Sequence, residues 1–364
     1  MECSKFVLML AIGCGMLAPN GGRTFPDEPK EDLREAVSEA LQRNDLARAI
    51  RLCTQGLQTD PNADDFALTR AACLIASQKP FDALRDFENV ISHDAKSAMA
   101  HNGKGGCLLH LLRPTEALRE FSAAIELSPT KAMYYRNRAE AYQQLKMLDR
   151  SEADCDMAVR LDPANVELIA LRAEVRGKLK KFDEALNDCK HAETLGSTVR
   201  LLQVRGHIFV AQNKLEEAET DFKKALAINP KSLAIVYEMA LLEEKKQRYA
   251  AAKAYFERAV ELAPNQGITL GGLARFLSDC PNADFRNEEE AKRLATRACE
   301  LSEWKSPGSI STLAMIHARK GDFATAIKLQ EKLLRLPKDS FFGNYSVAEK
   351  ELQAFKTGTL PSDK

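Results

Sequence analysis

From about residue 30 onward, short amphipathic segments alternate with short polar links along the chain. Within each segment the apolar residues recur three and four positions apart, which is the spacing of one buried face of an α-helix. Alanine, leucine, glutamate and lysine dominate these segments, whereas glycine and proline are sparse and regularly placed. The pattern therefore predicts a series of paired amphipathic helices.

The helical segments repeat with a fixed period. A small residue recurs in the second helix of each predicted pair, and successive copies are separated by 34, 34, 34, 34, 33, 34, 39 and 35 positions. These anchor residues are Ala49, Ala83, Ala117, Ser151, Ala185, Ala218, Ala252, Ala291 and Ala326. A self-similarity of this length is typical of a repeat architecture, in which each unit stacks on its neighbours.

Other residues keep a constant distance from each anchor. Four positions after it stands a ring or a cysteine: Cys53, Phe87, Phe121, Cys155, Cys189, Phe222 and Phe256. Twelve positions after it a proline recurs: Pro61, Pro129, Pro163, Pro230 and Pro264. Twelve positions before it the first helix carries a small residue: Ala71, Gly105, Ala139, Ala173, Gly206, Ala240, Ala274 and Ala314. Small residues allow paired helices to approach closely, and proline ends the second helix.

This 34-residue pattern resembles the tetratricopeptide-repeat family over about 300 residues, from near Lys30 to near Lys338. The resemblance implies an all-α, right-handed superhelical solenoid of about nine helix-turn-helix units. A final amphipathic stretch, Val347 to Phe355, is predicted to form a capping helix. The predicted boundaries are a leader over 1–18, a linker over 19–29, the solenoid over 30–338, and a capping helix with a flexible tail over 339–364.

The leader prediction depends on the apolar run from Phe6 to Ala18. Its thirteen residues are too few to span a bilayer, which needs about 20, but suit an export signal. Within it, Ala11 to Cys14 resembles the lipobox of bacterial lipoproteins, with alanine where leucine is usual. Cys14 is therefore a candidate for lipid attachment. These features predict export to, or anchoring in, the cell envelope, and a cytoplasmic protein remains the alternative.

The eighth unit, residues 267–304, is interrupted by a turn five residues longer than the 34-residue pattern requires. The strings CPNA, FRN, ACELSEW and GDFATAIKLQEKLL resemble a terminal segment of bacterial, particularly planctomycete, tetratricopeptide proteins. Cys280 lies in this turn and is predicted to be the most exposed and reactive thiol. Cysteines within the repeats are predicted to be free core thiols, because equivalent positions of stacked helices lie about 8–10 Å apart, too far for a disulfide.

Charge and motif content argue against several functional classes. The 52 basic residues equal the 52 acidic residues, and a net charge of zero is unlike that of a nucleic-acid-binding protein. The sequence lacks CxxC, HExxH, P-loop, GxSxG and GxGxxG motifs. We therefore predict no enzyme activity, no metal and no cofactor, with membrane contact only through the N-terminal leader.

In the family, the first helices line a concave groove that binds peptides, so the resemblance implies a partner-binding surface. Its predicted residues are Leu68, Met99, Asn102, His110, Met133, Arg136, Asn137, Glu140, Gln144, Leu171, Arg200, Gln203, His207, Tyr237, Leu241 and Arg275. The chain lacks the lysine and arginine positions with which chaperone-binding members hold a C-terminal carboxylate. We predict a scaffold for a protein or peptide partner. The alternative is a structural, self-associating solenoid of the cell envelope, and the oligomeric state stays open.

Overall fold

The computed structural model describes residues 33–337 and 345–361, and within these ranges it is entirely helical, with 19 α-helices and one short 3-10 turn. The predicted leader over 1–18, the linker over 19–29 and the lipidation candidate Cys14 lie outside the described residues. No helix in the described part of the chain has the length and apolar character needed to cross a bilayer.

The chain divides into two compact units, of which the first ends at Ser197 and the second begins at Thr198. The first unit contains five antiparallel hairpins within the described range. Their helices are α1 Leu33–Gln42, α2 Leu46–Thr59, α3 Asp64–Ala76, α4 Pro80–His93, α5 Ala98–His110, α6 Pro114–Leu127, α7 Ala132–Gln144, α8 Leu148–Leu161, α9 Val166–Lys178 and α10 Phe182–Leu195.

The second unit contains four hairpins and a final single helix among its described residues. Its helices are α11 Val199–Ala211, α12 Leu215–Ile228, α13 Leu233–Lys245, α14 Tyr249–Leu262, α15 Gly267–Asp279, α16 Glu288–Leu301, α17 Pro307–Arg319, α18 Phe323–Leu334 and α19 Tyr345–Lys356. Among α1 to α18, odd-numbered helices are thus the first helices of the hairpins, and even-numbered helices are the second.

Three-residue links join the two helices of each hairpin except the eighth. One residue of each link adopts the left-handed conformation: Asn44, Gln78, Leu112, Lys146, Lys180, Asn213, Gln247 and Gly321. That conformation ends a helix by turning the chain away from its axis. Each recurring proline lies two residues beyond the end of a second helix, as at Pro129 after α6, because proline cannot continue the helix.

In the second, third, sixth and seventh hairpins the core lies between a small residue of the first helix and a phenylalanine of the second. All nine anchor residues are fully buried, and so are Phe87, Phe121, Phe222 and Phe256. The approach is closest at glycine: a Cβ added to Gly105 would lie 2.6 Å from the Phe121 ring, and one added to Gly206 would lie 2.4 Å from the Phe222 ring. Real Cβ atoms do not tolerate such distances, so the rings occupy the space that glycine leaves.

The interrupted hairpin has an eight-residue link, 280–287, which includes the 3-10 turn Ala283–Phe285. Cys280 was expected to be exposed there, and this prediction is wrong, because its relative exposure is 0%. It belongs to a core cluster with residues from α13 to α19, and burial raises the pKa of its thiol. Cys53, Cys73, Cys107, Cys155, Cys189 and Cys299 are also free and buried.

The final helix, α19, buries Ala348, Leu352 and Phe355. Phe355 packs against Ala314 and Ala326, so α19 covers the apolar face of the last hairpin. Glu351 of α19 accepts hydrogen bonds from Gln330 at 2.8 Å and from Ser311 at 3.3 Å. Burial raises the pKa of Glu351, while these hydrogen bonds oppose the rise.

Two glycines in α5 provide a test of this packing. Gly105→Ala places a methyl group against the Phe121 ring, and overpacking of this kind costs about 1–3 kcal/mol. Gly106→Ala meets no atom within 4 Å and should stabilise the helix by up to about 1 kcal/mol. We expect urea denaturation to give opposite signs for the two variants. Equal stability of the two variants would contradict the close contact between Gly105 and the Phe121 ring.

Candidate functional site

The first helices of neighbouring hairpins lie side by side within the first unit. Helix α5 contacts both α3 and α7. The amide of Asn137 on α7 donates a hydrogen bond to the side-chain oxygen of Asn102 on α5, at 2.9 Å. Lys178 on α9 likewise donates to Gln143 on α7, at 2.6 Å. These links join the helices that carry the predicted groove residues of this unit.

Three predicted groove residues are buried and cannot offer a free side chain to a partner. Leu68 is 7% exposed because it packs in the core formed by α3, α4 and α5. Leu171 is 1% exposed and packs against Ala139 and Cys155. Asn102 is 2% exposed and is held by Asn137. The prediction is corrected for these three positions: their side chains contribute to the packing of the first helices and are not accessible to a partner.

The remaining predicted residues of the first unit reach solvent. Arg136 forms an ion pair of 3.1 Å with Glu140 one turn along α7, and both side chains are about one-third exposed. His110 and Gln144, at the ends of α5 and α7, are exposed. The partly exposed members are Met99, Met133 and Asn137. This surface therefore combines methionine side chains, amides and one exposed ion pair.

In the second unit, Tyr237 and Arg275 meet around Phe256. The Tyr237 ring packs edge-on to Phe256 with centroids 5.6 Å apart, and the Arg275 guanidinium lies 6.0 Å from the centre of the same ring. Arg275 also makes two hydrogen bonds to Glu244, of 3.0 and 2.5 Å. Burial raises the pKa of Tyr237. Burial also disfavours the charged form of Arg275, but Glu244 outweighs this effect and raises the pKa of Arg275.

The other predicted residues of the second unit lie on α11 and α13. His207 on α11 lies 3.1 Å from the carboxylate of Glu238 on α13, and its ring packs edge-on to Phe222. Leu241 on α13 is 36% exposed, which makes it an apolar side chain available to a partner. Arg200 and Gln203 on α11 are partly exposed.

A ladder of ion pairs, outside the predicted site residues, fixes four first helices of the first unit to their second helices. A basic residue on each of α3, α5, α7 and α9 pairs with an acidic residue sixteen positions later on the second helix of the same hairpin. These pairs are Arg70–Asp86, Lys104–Glu120, Arg138–Asp154 and Arg172–Asp188. In Arg138–Asp154 the two hydrogen bonds are both 2.8 Å, and Asp154 is buried. Hydrogen bonding to Asp154 raises the pKa of Arg138.

The same basic residues also reach back to the preceding hairpin. Each one contacts the residue sixteen positions earlier: Thr54, Glu88, Ser122 and Asp156 respectively. Each basic residue with its two partners, which we call a rung of the ladder, therefore joins two consecutive hairpins. In the second unit Arg205 pairs with Asp221 at 2.7 Å, and 34 positions later Met239 and Tyr255 stand in the same register, where Met239 is buried in an apolar cluster and Tyr255 packs against that cluster.

The family model described as "Tetratricopeptide repeat" matches residues 68–132, 111–166 and 204–267. The crystal structure of yeast Tom70 is similar to this one with a TM-score of 0.60 and 17% identity, covering 90% of this chain and 89% of that one. The chain is a tetratricopeptide-repeat protein. The predicted all-α tetratricopeptide solenoid is thereby confirmed, whereas the planctomycete-like type stays a prediction.

Two curated proteins are similar to parts of this tetratricopeptide-repeat protein. Anaphase-promoting complex subunit 3 of Schizosaccharomyces pombe is 26% identical over 103 residues, which are 28% of this chain and 15% of that protein. BBSome complex member bbs-4 of Caenorhabditis elegans is 29% identical over 131 residues, which are 36% of this chain and 26% of that protein. The matches thus span about a quarter or less of these relatives.

The described part of the tetratricopeptide repeats was compared with the requirements of a metal site and of a reactive thiol. Within residues 33–337 and 345–361, no group of three or more His, Cys, Asp or Glu side chains could hold a metal ion. The buried thiols are poor nucleophiles, since burial raises the pKa of Cys73 to about 12. The first-helix surfaces instead offer hydrogen-bonding amides, charges and apolar side chains.

The signal for the ladder was present in the sequence. Basic residues at Arg70, Lys104, Arg138 and Arg172 are spaced 34 positions apart, and each is followed sixteen positions later by an acidic residue. Small and aromatic residues define the repeat without reference to its charged positions. A search for charges at the repeat period would have detected it.

The ladder predicts opposite effects of single and double substitutions. Arg138→Met leaves buried Asp154 without its partner and should cost about 2–3 kcal/mol, somewhat less than a fully buried pair. Adding Asp154→Tyr to this variant gives the residue types found at Met239 and Tyr255 in the same register and should recover most of the loss. Thermal unfolding of the variants measures both effects.

The exposed pair Arg113–Glu116 provides the control for this experiment. Arg113→Met should leave the melting temperature unchanged, because exposed ion pairs contribute little. If the double variant is less stable than Arg138→Met alone, the unpaired Asp154 carboxylate is not the cause of the lost stability.

Proposed function

We propose that this tetratricopeptide-repeat protein is a non-catalytic scaffold whose first-helix surfaces bind a polypeptide partner. The observation that carries the proposal is the mixed character of those surfaces. Arg136, Leu241 and His207 combine charge, apolar area and hydrogen-bonding capacity on rigid helices. Surfaces of this composition suit extended or helical peptides, which need apolar anchors and polar orienting groups.

The names of the two curated relatives support the same proposal. One is a subunit of the anaphase-promoting complex and the other a member of the BBSome complex, so both are components of multi-protein assemblies. We infer that this chain also acts within a protein assembly.

Quantitative affinity capture from the native host tests the proposal. Arg136→Glu in the first unit and Leu241→Asp in the second change exposed positions, so each should preserve folding. We expect at least one to reduce capture of the wild-type partner by about tenfold or more, equivalent to about 1.4 kcal/mol of binding free energy. Tyr237 is avoided, because its packing on Phe256 makes it structural as well as accessible.

Two matched variants on second helices provide the controls. Arg119→Glu on α6 repeats the charge reversal, and Ile228→Asp on α12 repeats the replacement of an exposed aliphatic residue by aspartate. Both should capture the partner as the wild type does. Equal capture by all four variants would remove the first-helix surfaces from the proposal.

We also propose that residues 1–18 direct export and that Cys14 accepts a lipid, on the strength of the lipobox-like sequence. Cys14→Ser should abolish incorporation of a labelled fatty acid and shift the protein from the membrane fraction to the soluble fraction. Cys3→Ser, in the same leader, should change neither. A wild-type protein that carries no label and fractionates with cytoplasmic markers would contradict the proposal.

A further inference from the structure

A cavity of about 1110 Å³ lies within the second unit. The inner surfaces of α15, α17 and α19 form its walls, and the long link 280–287 and residues 359–361 lie at its rim. We call it the C-terminal pocket. The charged side chains in its lining are Arg275, Asp279, Arg286, Arg319, Lys350 and Glu351.

Positive charge predominates in the lining of this pocket. Four basic side chains face two acidic ones, which gives an excess of two positive charges. Two of the basic side chains are neutralised: Arg275 by Glu244, and Arg319 by Asp279 at 2.8 Å. With Glu244 also counted, the other two basic residues face only Glu351, which leaves an excess of one positive charge.

These two residues are Arg286, in the link 280–287, and Lys350, on α19. Both are exposed, and neither has a carboxylate within 4.0 Å among the described residues. The Arg286 side chain is nevertheless oriented, because its Nε donates a 2.6 Å hydrogen bond to the Cys280 carbonyl. The guanidinium retains N–H groups that could bind an acidic ligand.

Apolar side chains lie beside these charges. Val347 and Leu360 are each 47% exposed, and Met315 on α17 also lines the pocket. Methionine is flexible and adapts to ligands of different shape. A complementary ligand therefore combines carboxylates with an apolar residue.

We propose that the C-terminal pocket binds an acidic segment of a partner polypeptide, with Arg286 and Lys350 contacting its carboxylates and Met315, Val347 and Leu360 contacting an apolar residue between them. The proposal rests on the scaffold function proposed above and assigns the partner's chemistry at one site. The long link of the eighth hairpin supplies Arg286, and α19 supplies Lys350. Both departures from the regular repeat thus contribute to one pocket.

Fluorescence anisotropy with the full chain tests this proposal. The probe is a labelled peptide of sequence ELEDLED, and its amide counterpart QLQNLQN has the same shape without the charges. We expect the acidic probe to bind, with at least about tenfold weaker binding of the amide probe. Added salt should weaken binding of the acidic probe, since exposed charges are screened.

The double variant Arg286→Glu, Lys350→Glu should bind the acidic probe at least about tenfold more weakly than the wild type. Lys224→Glu with Arg297→Glu makes the same charge change at exposed positions of α12 and α16, and should bind as the wild type does. Circular dichroism confirms that each variant is folded. If the first double variant does not fold, Arg286→Gln with Lys350→Gln replaces it, with the same loss expected.

Four outcomes would overturn the proposal. Equal affinity of wild type and pocket variant for the acidic probe would exclude the pocket, and an equal loss in the control variant would indicate unspecific attraction. Tighter binding after deletion of residues 362–364 would identify the chain's own end as the occupant. Dimerisation that only the pocket variant abolishes would identify a second copy instead.

Affinity capture distinguishes failure of this proposal from failure of the scaffold function. If the pocket variant captures the wild-type partner while Arg136→Glu or Leu241→Asp does not, the scaffold function stands and the acidic-segment proposal fails. If none of the variants affects capture, both fail.

Discussion

The close approach of the two helices in each hairpin is the constraint on which the structure depends. In the second to seventh hairpins the first helix carries alanine or glycine where the second helix presents a phenylalanine or cysteine, and at Gly206 the Phe222 ring leaves no room for a methyl group. Because both residues recur at the repeat period, the same interlocking is made along each unit. Within each unit the apolar face left by one hairpin is covered by the next, and α19 covers that of the last hairpin.

Ion pairs add a second level of organisation to this apolar packing. In the first unit the basic residue of each rung lies between two second helices and holds the first helix that carries the accessible side chains. Arg136 and Asn137 immediately precede Arg138 in α7, so the residues exposed for binding and the residue that fixes the helix are neighbours. A rigid helix offers its side chains to a partner with less loss of conformational entropy.

The sequence predicted the helices, their pairing and the family, because small, aromatic and proline residues at a constant period have one structural explanation. It predicted individual groove residues less well. Leu68, Asn102 and Arg136 occupy the same register of successive repeats, yet only Arg136 reaches solvent. The shorter side chains of Leu68 and Asn102 are buried between neighbouring helices, whereas the longer Arg136 side chain extends to the surface. Accessibility at a repeat position thus depends on side-chain length and on neighbours, which the period does not specify. The same limit applies to Cys280, because its burial follows from the folding of the long link.

The shared rungs of the ladder have a consequence for how such an array could change in length. Thr54, Glu88, Ser122 and Asp156 stand in one register, and each supplies an oxygen to the basic residue that follows it. Loss or duplication of a whole 34-residue segment would bring another oxygen of this set into the same place. Insertion of one or two residues inside a helix would instead rotate every later charge away from its acceptor. The architecture therefore permits evolution by entire modules and resists single-residue insertions.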